Sequence, residues 1–243
     1  QKTAYEMTSS LVGSEMCITD SCYLKLIASL GMASFINQIA LAVVQIVMNN
    51  TLRYYGAASV YGTEIPLACV GVIAKVNMIF ISICIGLSQG CQPIWGFNYG
   101  AKAYERVKET YKRAFQISAL VGGCFFICFQ IFPRPIVSIF GSGSELYFEF
   151  AVMFMRIFLF MVIVNGVQLL SSNFFTAIGK AMKGLILSLT RQVLFLIPLL
   201  LILPIWFGIK GVLYAGPVAD FIAFVVSAVL VIQEFKKMKE INN

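Results

Sequence analysis

The chain has 243 residues, 59% of them hydrophobic and only 12% charged, with a net charge of +7 and a mean hydropathy of +0.86. An ordinary soluble domain carries about 25% charged residues, so this composition excludes one and points to an all-α protein that crosses a membrane several times. The absence of histidine removes the usual general base and the usual metal ligand. Seven cysteines (Cys17, Cys22, Cys69, Cys84, Cys91, Cys124 and Cys128) form no C-x-x-C pair. We therefore expect neither a zinc site nor a disulfide framework, and no metal or other cofactor. The basic residues fall in short segments between apolar runs, where the positive-inside rule places them. They predict a lipid bilayer as partner and no nucleic acid.

Residues 1–22 are polar, with Glu6, Glu15 and Asp20, and have no apolar stretch of the signal-peptide kind. The start at Gln1 reads as a cut near a linker. A first span is expected over about 23–52, with Asn37, Gln38, Gln45, Asn49 and Asn50 as its polar positions and Arg53, Tyr54 and Tyr55 closing it. A loop with Gly56, Gly62 and Glu64 leads through Pro66 into a second span, about 65–92, which carries Lys75 and Asn77. The string Gly86-Leu-Ser-Gln-Gly-Cys-Gln-Pro-Ile-Trp-Gly-Phe-Asn-Tyr-Gly-Ala-Lys102 then predicts a helix exit and a tight interfacial turn. A basic amphipathic segment with Arg106, Lys108, Lys112 and Arg113 follows. Gly86 and Gly90, and again Gly96 and Gly100, have the spacing that lets helix backbones approach.

The third span, about 111–132, is stopped by Pro133 and Pro135. A short apolar piece, Ile136 to Phe140, ends in Gly-Ser-Gly-Ser-Glu, a turn with capping serines. The fourth span, about 146–177, holds Arg156, Asn165, Gln168 and Asn173. After a short basic loop from Gly179 to Gly184, the fifth span, about 185–206, carries Arg191, Gln192 and Pro198. The sixth, about 211–233, has Pro217 three residues before Asp220, and a basic tail, 236–243, ends the chain.

Six spans return the chain to its starting side. One side then carries Lys2, Lys25, Lys102, Arg106, Lys108, Lys112, Arg113, Lys180, Lys183, Lys236, Lys237 and Lys239, and the other only Arg53, Arg134 and Lys210. This asymmetry predicts both ends in the cytoplasm, in a multi-pass protein of the plasma membrane. No G-x-x-x-x-G-K-[ST] nucleotide loop is present.

Lys75, Arg156, Arg191 and Asp220 are the ionisable residues deep in spans. Each costs about 2.5–3.5 kcal/mol at the bilayer centre unless it is paired or meets water. Two roles are open to them: charges that line a cavity and rearrange, or a fixed ion pair that sets helix packing. For Arg191 and Gln192 the proline that follows favours the structural role. Pro198 and Pro217 are expected to kink or break their helices and leave a free carbonyl one turn back, where broken helices can supply ion ligands. The amides Gln38, Gln45, Asn77, Asn165, Gln168 and Asn173 can either line a cavity or bond between helices.

The glycine-rich string resembles the segment that follows a span in the C-terminal half of the MATE family of multidrug and toxin efflux transporters. The matching residues are Gly86, Gln89, Gly90, Gln92, Pro93, Ile94, Gly96, Asn98, Tyr99, Gly100, Ala101 and Lys102. Arg191-Gln192 with Phe195 and Pro198, and then Ala215-Gly-Pro-Val-Ala-Asp220, resemble two further segments in the family's order, so the likeness covers roughly 23–240. It implies that the six spans form one lobe, the C-terminal one, of a twelve-helix transporter, with a six-helix N-terminal lobe as partner. The implied activity is secondary antiport, in which organic cations leave as protons or sodium enter. Some members bind sodium in this lobe through acidic residues of its first and fourth spans; here those spans carry no carboxylate in their interior. The coupling ion is then expected near Asp220 or in the N-terminal lobe.

The alternative reading is a flippase for lipid-linked sugars, from families of similar architecture. Lys75, Arg156 and Arg191 would suit an anionic pyrophosphate. A membrane-embedded enzyme is the third reading, and it lacks a candidate base, nucleophile or metal cluster.

Overall fold

The computed structural model describes residues 21–141 and 143–242. The expected polar segment up to Asp20, with Cys17, lies outside them. Among the described residues nine α-helices and one π-helical segment form a single helical lobe: α1 (Ser21–Ala57), α2 (Glu64–Gly100), α3 (Tyr104–Ile131), α4 (Pro133–Phe140), α5 (Glu145–Phe158), α6 (Val162–Ala177), α7 (Ala181–Leu189), the π segment (Thr190–Leu196), α8 (Ile197–Phe207) and α9 (Ile209–Asn242). Among the described residues five stretches are long and apolar enough to cross a membrane: 35–57, 64–100, 104–131, 181–207 and 209–238. The bent pair of α4 and α5 adds a sixth if counted as one span.

Burial follows the helical repeat. On α1, Ala40, Val44, Met48 and Leu52 recur every fourth residue and are buried. Helix α6 is the centre of the lobe, packed against α2, α3, α7 and α9. Close approach is set by glycines other than those of the string. A Cβ on Gly122 of α3 would lie 2.8 Å from the Cα of Ile163, and one on Gly166 of α6 would lie 2.9 Å from the Phe80 ring. Among the described residues nothing lies within 4 Å of such an atom at Gly86, Gly90 or Gly100, and Gly96 alone of the four has a neighbour, the Ala177 carbonyl at 3.2 Å. Within the lobe the string therefore does not act as a small-residue packing face.

Nor is it a turn. Helix α2 runs unbroken through all four glycines and Pro93 to Gly100, and the chain reverses only at Lys102, whose φ is +59°. The missing Pro93 N–H is tolerated because the flanking turns continue the hydrogen-bonded ladder. The expected break at Pro217 is likewise not one, since α9 is continuous past it. Pro198 instead stands at the second position of α8, directly after the π segment. The fourth expected span is divided at Leu159–Met161, where Phe160 N–H bonds the Ile157 carbonyl and Val162 N–H bonds that of Leu159. These three-residue bonds tighten the helix. The expected serine cap stands at Ser144, whose hydroxyl accepts from the Tyr147 N–H at 3.4 Å.

Two hydrophobic clusters fill the lobe. One joins Leu52, Ile73, Phe80, Phe150, Phe154 and Leu213 toward the α4 end. The other joins Trp95, Tyr111, Phe174, Phe175, Leu187 and Val231 toward the basic end. Close to where they meet lies a layer of buried polar side chains, Ser118, Asn165, Gln168 and Asp220, with Ser227 buried two turns further along α9.

Candidate functional site

Asp220 is the centre of this layer. It is 5% exposed, and α9 turns its carboxylate toward α6 and the π segment. Arg191 Nε donates to Asp220 Oδ1 at 2.6 Å, and Asn165 Nδ2 donates to Oδ2 at 3.4 Å. Arg191 reaches the carboxylate from the π segment, where the Ile197 N–H bonds back to the Gln192 carbonyl, five residues away. The wider turn precedes Pro198, which has no N–H to give. Gln192 is buried beside this pair. Gln168, one turn along α6 from Asn165, donates to the Leu187 carbonyl at 3.2 Å and ties α6 to α7.

The layer and the buried face of α9 beyond it hold more hydrogen-bonding capacity than they use. Among the described residues, Ser118 Oγ, Asn165 Oδ1, Gln192 Oε1 and Ser227 Oγ are buried without a partner. An unpaired buried group of this kind costs about 1–3 kcal/mol. A site with spare donors and acceptors around a carboxylate can rebond around an ion, a water or a turned side chain.

The other residues expected along a pathway lie elsewhere. Lys75 and Arg156 are exposed and, among the described residues, have no ion-pair partner; neither is brought to Asp220. Gln38 and Gln45 stand on the open face of α1, where Gln45 donates to Asn49 at 3.0 Å. Asn77 and Asn173 are half-buried, and the Asn77 Oδ1 has no partner among the described residues. Asn98 donates to the Ile94 carbonyl at 2.8 Å. Gln89 is exposed and Gln92 half-buried.

A second buried carboxylate was not singled out in the sequence. Glu234 is 1% exposed and takes the Nζ groups of Lys180 and Lys183, the latter at 2.8 Å. Lys180 also lies over the Tyr99 ring, 5.7 Å from its centre, so the string, the basic loop and α9 meet at one point. Burial works against the charge on Lys180, but hydrogen bonds to Glu234 and Tyr99 outweigh it and hold its pKa above the usual lysine value. A raised lysine pKa gives stability that is complete below the ordinary lysine range and is lost only as pH rises through the raised value. The contact is therefore fully formed at neutral pH. The signal for Glu234 was in the sequence: Asp220, Ser227 and Glu234 are spaced by seven, and all three are buried on one face of α9.

Comparison with known proteins places this architecture. The MatE family model matches residues 33–202. The multidrug export protein MepA of Staphylococcus aureus is 23% identical over 195 residues, which are 80% of this chain and 41% of that protein. The protein of the same name from Staphylococcus haemolyticus is 22% identical over 194 residues, again 41% of its length. The chain thus spans less than half the length of these curated relatives. An outward-facing structure of a multidrug resistance MATE family transporter of the MOP superfamily superposes with a TM-score of 0.78 at 17% identity, over 86% of this chain and 46% of that one. A MOP superfamily transporter from Pyrococcus furiosus does so with the same TM-score at 16% identity, over 86% of this chain and 46% of its own. Identities this low establish the shared fold alone. The family model covers well over half of the chain, and on that match this multi-pass membrane protein belongs to the MatE family.

Proposed function

We propose that the chain forms the C-terminal lobe of a secondary antiporter of the plasma membrane, which exports organic cations in exchange for protons or sodium. The observation that carries this reading is the Asp220 carboxylate, buried between Arg191 and Asn165 in a polar layer with unused hydrogen-bonding groups. The names of the MepA relatives and the family match support drug export as the class of work. A proton or sodium ion arriving at Asp220 competes with Arg191 for the same oxygens. The guanidinium then loses its counter-charge, and the α6, α9 and π-segment contacts that meet there must rearrange. Intramembrane ionisable groups commonly mark such ion pathways. The second lobe of the same transporter would close the cavity from the opposite side, with both ends of this chain in the cytoplasm.

Engagement of Arg191 by Asp220 takes away one of the three cations that would suit an anionic pyrophosphate, so the flippase reading loses part of its basis. The test is efflux of a fluorescent organic cation from cells that express the full-length protein, with a proton or a sodium gradient imposed in turn. Gradient-dependent efflux that Asp220→Asn abolishes at normal membrane abundance is the expected result. Efflux that persists in Asp220→Asn would remove Asp220 from the coupling path.

A further inference from the structure

A pocket of about 510 Å³, which Asp220 does not line, opens at the α4 end of the lobe and is walled by Arg134, Glu145, Phe148, Glu149, Val152 and Arg156. Two of its charges are already used. Arg134 Nη2 meets Glu145 Oε2 at 2.7 Å and its guanidinium lies 5.4 Å from the centre of the Phe148 ring. The other two are not: among the described residues, neither Glu149 nor Arg156 has an ion-pair partner. They stand seven residues apart on α5, so they share a face and are separated by ~10 Å along the axis.

Their order along the helix is informative. Gln130, in the last turn of α3, donates to the Arg156 backbone carbonyl at 2.9 Å, which sets Arg156 level with the end of α3. Glu149 lies two turns nearer the end of the lobe. In the other direction, toward the middle of the lobe, Ile127 and Phe160 are 54% and 50% exposed. The surface therefore reads, from the end of the lobe inward, as an acid, a base and an apolar strip. A glycerophospholipid standing in a leaflet presents its groups in the same order when its headgroup ends in an amine: ammonium outermost, phosphate below it, acyl chains below that.

We propose that this pocket binds a phospholipid with a phosphoethanolamine headgroup. Arg156 takes the phosphate in a charge-assisted contact, Glu149 takes the primary ammonium, and the acyl chains lie along Ile127 and Phe160. A quaternary ammonium offers Glu149 no N–H to donate, and a glycerol headgroup offers it no cation. The site thus discriminates among common lipids by one charge-assisted hydrogen bond.

The experiment is native mass spectrometry of the full-length protein in micelles doped with equal amounts of phosphatidylethanolamine, phosphatidylcholine and phosphatidylglycerol. The wild type is expected to retain phosphatidylethanolamine at least about tenfold over the other two, the worth of one such bond. Glu149→Gln should lose that discrimination yet still hold a phospholipid. Arg156→Gln should lose retention of all three. Soluble phosphoethanolamine at millimolar concentration should fail to displace the lipid. Equal retention of all three by the wild type, preference for phosphatidylglycerol, displacement by the soluble headgroup, or a pattern unchanged in both variants would each overturn the assignment. Thermal aggregation curves that match the wild type show that the variants are folded, and Lys75→Gln, an exposed cation outside the pocket, should leave the lipid pattern unchanged.

Discussion

Asp220 and Glu234 are both buried on one face of α9, about 21 Å apart at 1.5 Å per residue, and they are satisfied differently. Glu234 has a lysine for each oxygen, and both lysines come from the connection that opens α7. Asp220 has one guanidinium, one long amide contact, and neighbours whose own oxygens go unmatched. The first arrangement has no second way to bond and holds the basic end of the lobe together. The second has several, and a carboxylate with alternatives is what an ion-coupled step needs. On the proposed function, the difference separates a joint from an ion-coupling site on a single helix.

The sharpest way to break this contrast is Arg191→Met. It leaves Asp220 buried without its cation and is expected to destabilise the protein by about 3–5 kcal/mol, read as earlier heat-induced aggregation in detergent. Adding Asp220→Asn to it should recover most of that stability while transport stays absent. Recovery of transport as well would make the pair purely architectural. Glu234→Gln comes next: loss of about 1–2 kcal/mol, because both lysines are a third exposed and water takes over part of their solvation, with efflux retained at permissive temperature. Lys180→Ala and Lys183→Ala should each cost under about 1 kcal/mol, since the remaining lysine still covers Glu234. A double-mutant cycle should then show the two to be non-additive. Ser227→Ala, between the two carboxylates, removes a buried hydroxyl that has no partner among the described residues and should raise stability by about 1 kcal/mol, the recovered desolvation cost less the packing lost with the oxygen.

The fold was legible in outline because apolar length and basic asymmetry are physical demands of a bilayer. Charges and prolines marked the ends of most helices, and Ser144 marked a cap. What was not legible has one common cause. Gly86 to Gly100 carry every local mark of a turn, yet the residues around them continue α2, and context outweighed propensity. The break at Leu159–Met161 contains no glycine or proline to announce it. Within the site, Asp220 and Arg191 stood out as rare charges in apolar runs, and the structure joins them. Lys75 and Arg156 stood out for the same reason, and the structure leaves them apart, because depth along a span says nothing about which face a residue takes. Glu234 is hard to read because it stands beside Lys236 and Lys237, where a carboxylate reads as a solvated end; its heptad relation to Asp220 is the signal that the sequence carries.

The π segment from Thr190 to Leu196 has a mechanical consequence. A π turn stores one residue more than the α turn it replaces. Its conversion to α would pass that residue along the chain, advancing one flank by ~1.5 Å and rotating it by ~100° against the other. Arg191 sits inside the stored turn, so such a step would swing its guanidinium to a different side of the helix. Such a step would act as a click stop between two positions, the α register leaving one carbonyl unpaired for want of a Pro198 N–H. Disulfide trapping of cysteines placed across α1 and α8 would count those positions, and a continuum of cross-links in place of two would show that the step is not discrete.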